Sequence, residues 1–68
     1  MDKQRTRIKF REIADEYGLG DLYYFVTDNE GSNSEHTRSI AHNMIHKSFT
    51  TEKVQKELIE LVSILIFE

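Results

Sequence analysis

The sequence predicts an all-α fold: a small bundle of three longer helices and one short helix, with the C-terminal helix central. Three observations carry this. Proline is absent, so the strongest helix breaker is missing. Apolar residues recur at helical spacing in three segments. Gly18, Ser34 and Thr51 stand where those segments should end or begin. The chain of 68 residues makes a single helical domain, 1–68.

The first segment runs from Arg7 to Tyr17. Phe10, Ile13, Ala14 and Tyr17 follow the i, i+3, i+4, i+7 spacing, and Gly18 follows as a C-cap. Ile8 falls on the opposite face. Thr6 to Phe10 also alternates as a short strand would, but a strand needs a partner, so the helix is preferred. Residues 1–6 are expected to form a flexible basic arm.

The second segment, Asp21 to Asp28, holds Leu22, Tyr23, Tyr24, Phe25 and Val26 without period. Its composition suits a strand. A short helix capped by Asp21 is preferred, because no convincing second strand exists. Residues 27–33 read as a polar loop and the most mobile region.

The third segment runs from Glu35 to Lys47 behind the cap Ser34. Thr37, Ile40, Ala41 and Met44 make its stripe, with Ile45 beside them. Thr51 caps the fourth segment, with Phe49 as a hydrophobic staple. There Val54, Leu58, Leu61 and Leu65 form one stripe, and Ile59, Val62 and Ile66 a second. Together they cover an arc of about 160°. Ile64 and Phe67 lie outside that arc and call for another surface. The tail is therefore expected to self-associate or to dock on a partner protein.

Size supports the same expectation. So short a chain buries only about 60% of its unfolded surface. There is no Cys, so disulfides and thiolate metal sites are excluded. No apolar run approaches the roughly 20 residues of a membrane span. The basic N-terminus lacks the apolar stretch of a secretory signal. The expected setting is cytoplasmic.

The net charge of −3 conceals a split. Lys3, Arg5, Arg7, Lys9 and Arg11 oppose Asp2 alone, whereas residues 12–68 hold four bases against eleven acids. In an extended chain the five bases would line one edge and could follow a phosphate backbone. They could equally pair with an acidic body, or scatter over a solvated helix.

Arg11-Glu12-Ile13-Ala14-Asp15-Glu16-Tyr17-Gly18-Leu19 resembles the first helix and turn of a helix-turn-helix. Ala14 is small where helices would cross, and Gly18 takes the turn. The resemblance covers only these residues. The following segment, Gly20 to Asp28, offers two acids, no base and a block of aromatics where a recognition helix needs polar and basic side chains.

His42 and His46 share one helical face, but two ligands cannot close a tetrahedral site, and His36 does not join them. The oxygen-rich stretch 28–35 fails the calcium-loop spacing. No nucleophile, phosphate cradle or paired carboxylates suggest catalysis. No cofactor, metal or small-molecule substrate is expected. Tyr23, Tyr24 and Phe25 suit an interface, although at least two of them are expected to fill the core.

The function these features favour is that of a small non-enzymatic regulator. It would act by protein–protein binding, as an inhibitor or adaptor, and would self-associate through its C-terminal helix. The candidate interface is Tyr23, Tyr24, Phe25, Ile64 and Phe67. The alternative is a dimeric DNA-binding regulator using Lys3, Arg5, Arg7, Lys9 and Arg11.

Overall fold

The computed structural model describes residues 2–68. Four helices follow in order: α1 (Lys3–Tyr17), α2 (Gly20–Asp28), α3 (Glu35–His46) and α4 (Glu52–Phe67). α4 is central. It packs against the other three, while α1 and α3 lie on either side of it and α2 bridges between them.

The helix ends follow local chemistry. Asp2 accepts a hydrogen bond from the Gln4 amide and starts α1. The expected arm is therefore helical from residue 3 onward, and residues 3–6 are its first turn. Gly18 ends α1 in the left-handed region at φ 68°, and Leu19 N donates to the Ala14 carbonyl at 2.8 Å. α2 begins at Gly20, so Asp21 lies in its first turn rather than at its cap. A negative charge there favours the helix N-terminus. The Ser34 and Thr51 hydroxyls accept from Thr37 N and Val54 N, and so cap α3 and α4.

Each helix buries one face. α4 contributes Leu58, Leu61, Val62, Leu65 and Ile66. A fully buried side chain of this size is worth about 1.5–3 kcal/mol, so α4 supplies the largest share of the core. α1 adds Phe10 and Ala14, α2 adds Leu22 and Val26, and α3 adds Ala41 and Ile45. The α2 pair is spaced i, i+4, which is why an aperiodic apolar run settles as a helix: two side chains go inward and Tyr24 goes outward. In α3 the buried stripe is rotated from the expected one. It centres on Ala41 and Ile45, and Ile40 stays exposed at its edge.

The link between α2 and α3 is shorter than expected, because α2 continues to Asp28. It is also tied down. Gly31 N donates to the Leu65 carbonyl at 2.9 Å, and Asn33 N donates to the Ile66 carbonyl at 3.0 Å. These carbonyls lie in the last turn of α4, where no intrahelical donor remains. Gly31 and Asn33 both have positive φ, 72° and 53°, and this turns their N–H groups onto the helix end. The loop expected to be most mobile is thus the cap of the central helix.

The accessible surface is 4495 Å² for 8.0 kDa. A closed monomer of that mass exposes about 4,450 Å². The radius of gyration, 10.6 Å, matches the roughly 11 Å of a compact domain of this length. A single chain closes its own core.

Candidate protein-binding surface

The two tail residues singled out by their position on the helix wheel are half-buried rather than displayed. Phe67 packs against the core cluster. Ile64 lines a cleft of about 480 Å³ between α1 and α4, together with Arg5, Lys9, Glu57 and Glu60. The apolar end of α4 is thus largely enclosed by its own chain. The polar loop closes its carbonyls, and α1 closes its side.

The largest apolar exposure lies elsewhere. Phe49 is fully exposed at 101%, Tyr24 at 66% and Ile8 at 53%. Phe49 therefore does not act as a staple. A staple packs from the residue just before the cap, and Phe49 stands one residue earlier than that.

Tyr24 is the outer end of an aromatic row. Phe10 is wholly buried, and Tyr23 stacks on it with centroids 5.9 Å apart and planes at 29°. Tyr24 meets Tyr23 edge-on at 5.6 Å and 75°. The Arg11 guanidinium lies 6.0 Å from the Tyr23 centroid. The row runs from the core to the surface, so Tyr24 is held by a neighbour that is itself anchored. Phe25, on the other flank of α2, packs against the core.

The five N-terminal bases do not form one edge. On a helix, residues that alternate in sequence fall on two faces at about 100° per residue. Lys3, Arg7 and Arg11 face α2 and its following loop, whereas Arg5 and Lys9 face α4. Arg7 holds Glu30 through two prongs, at 2.6 and 2.7 Å. Lys9 pairs with Glu57 at 3.3 Å, and Arg11 with Asp15 at 3.7 Å. The hydrogen bonds from Arg7 hold the Glu30 carboxyl below its ordinary range, and the Arg7 and Lys3 charges act the same way. Lys3 also lies beside Gly31. The alternation thus supplies cations to both neighbours of α1 instead of a phosphate-tracking strip. α2 buries Leu22 and Val26, and its exposed residues are Gly20, Asp21, Tyr24 and Asp28, with no base among them.

His36, His42 and His46 share a shallow outer face of α3 with Ser39, Ile40 and Asn43. Arg38 Nη1 lies 3.0 Å from His42 Nδ1. Partial burial pushes the His42 imidazole below its ordinary value, and the Arg38 and His46 charges add to that. Among the described residues no group of three or more His, Cys, Asp or Glu could hold a metal ion. In the oxygen-rich loop, Glu30 is committed to Arg7, the Asn29 amide donates to the Phe25 carbonyl, and Ser34 caps α3.

No titratable side chain among the described residues is buried, and the cleft between α1 and α4 mixes acids with bases. Among the described residues no helix is long and apolar enough to cross a membrane. No protein family, curated protein or solved structure matches the chain.

Ile8, which the helical spacing sets opposite the Phe10–Ala14 stripe, is exposed there. The exposure of Phe49 was missed, although it is a lone aromatic in a polar connection between two capped helices.

Proposed function

We propose that the protein is a small non-catalytic regulator, of the inhibitor or adaptor type, that binds another protein through the Tyr24 end of its aromatic row. The observation that carries this is a Tyr two-thirds exposed yet braced from behind by Tyr23 and Phe10. A braced aromatic loses little conformational freedom on docking, and such residues dominate interface energetics. Arg11 beside it adds a second side chain of the kind enriched at interfaces. A chain that closes its own core is free to present this surface as a monomer.

The test is a pull-down from extracts of the source cells with three baits: the unaltered protein, Tyr24→Asp and Ile64→Asp. The expected result is one partner retained by the unaltered protein and by Ile64→Asp, and lost with Tyr24→Asp. Loss with Ile64→Asp and retention with Tyr24→Asp would return the interface to the tail.

A further inference from the structure

Phe49 follows Ser48, a residue at the wall of a surface depression. The connection between α3 and α4 is inverted in polarity. Ser48 and Thr50 are half-buried, their hydroxyls 2.7 Å apart, and Ser48 N donates to the Ile45 carbonyl at 3.1 Å. Phe49, between them, is turned wholly outward. Two polar residues thus fix a short turn that presents one aromatic ring to solvent.

The adjacent depression, about 430 Å³, lies where the α1–α2 turn meets the end of α3. Leu19, Leu22 and Met44 line it, with Asp21 and Lys47 also at its wall. Neither Asp21 nor Lys47 enters an ion pair among the described residues. Ser48 also lines the depression, so the knob starts at the wall of the hole.

We infer that the chain forms a two-fold homodimer in which each Phe49 enters the Leu19–Leu22–Met44 depression of the other copy, with Lys47 of each facing Asp21 of the other. The geometry favours a closed pair over a filament. When knob and hole are neighbours on one surface, a two-fold axis between them satisfies both at once and leaves nothing open. The rim charges are self-complementary under the same operation. The inference goes beyond the binding function proposed above and shares no residue with the Tyr24 row, so either can fail alone.

The experiment is sedimentation velocity over a wide concentration range, with circular dichroism to check that each variant stays helical. The unaltered protein is expected to pass from monomer to dimer as concentration rises. Phe49→Ala should weaken the dimer by at least roughly tenfold. Asp21→Lys and Lys47→Asp should each weaken it alone and dimerise when mixed, because the mixed pair restores both charge contacts. A monomer at every concentration would overturn the inference. So would a dimer indifferent to Phe49→Ala, or single-charge variants that fail to recover on mixing.

Discussion

Arg7 and Glu30 meet in a two-pronged ion pair that ties α1 to the loop capping the end of α4. The two residues are 23 apart in sequence. Through them the N-terminal helix, the polar loop and the apolar tail close on one another, so the tail's polar ends and apolar sides are both satisfied within one chain.

The pair makes stability depend on acid. Arg7 favours the ionised carboxyl in the fold, so Glu30 binds its proton less tightly folded than unfolded. Its contribution is present above the ordinary carboxylate range, about 4.3, and is lost as pH falls through the lowered folded value. Glu30→Gln should lower Tm at neutral pH and flatten the acid side of the stability profile. Thermal melts from neutral to acidic pH measure this. An unchanged acid limb would remove Glu30 from that role.

Two glycines should respond with opposite sign. Gly31 has φ 72°, and an added Cβ would meet only Lys3 Nζ at an ordinary 3.7 Å. Gly31→Ala then costs mainly backbone strain, about 1–2 kcal/mol, and lowers Tm by several degrees. Gly20 begins α2 with ordinary φ and open space around it. Gly20→Ala should stabilise by about 0.4–1 kcal/mol. Denaturant midpoints of the two variants measure both.

The end of α4 should show a steep contrast between neighbours. Leu65 is wholly buried, whereas Ile64 lines an open cleft beside Arg5 and Lys9. Leu65→Asp should abolish folding, while Ile64→Asp stays helical by circular dichroism and loses little stability. Phe10→Ala removes the buried base of the aromatic row and should cost about 3–5 kcal/mol. That is a large part of what a small domain has.

Duplex DNA of random sequence should bind negligibly even at low salt, where phosphate contacts are strongest. Arg7, Lys9 and Arg11 are already paired within the chain, and the five bases are split over two faces. Fluorescence anisotropy with labelled duplex measures this. Tight, steeply salt-dependent binding would restore the nucleic-acid reading.

The all-α class, the order of the helices and the central place of α4 could be read from the sequence, because periodicity and caps act over a few residues. Ser34, Thr51 and Gly18 do what their chemistry demands. The start of α1 was hidden by an ambiguity: alternating bases fit an extended edge as well as two helical faces. The Asp2 cap starts the helix locally, and the partners of the two faces, Glu30 and Glu57, lie far along the chain. What caps the tail is equally distant in sequence. Its capping donors, Gly31 and Asn33, come from a loop more than 30 residues away in sequence whose composition suggests mobility. The aromatic run placed the candidate surface on α2. Which ring would stay outside depended on where Phe10 lies, which no local spacing reveals.

The central claim is that one chain encloses its own C-terminal helix. Amide hydrogen exchange of Gly31, Asn33 and residues 64–67 in dilute, monomeric solution tests it most directly. The account predicts protection at Gly31 and Asn33 comparable to that of α4, unchanged as concentration rises. Rapid exchange at these amides in the dilute monomer, with protection appearing only at high concentration, would contradict it and make the tail an interface after all.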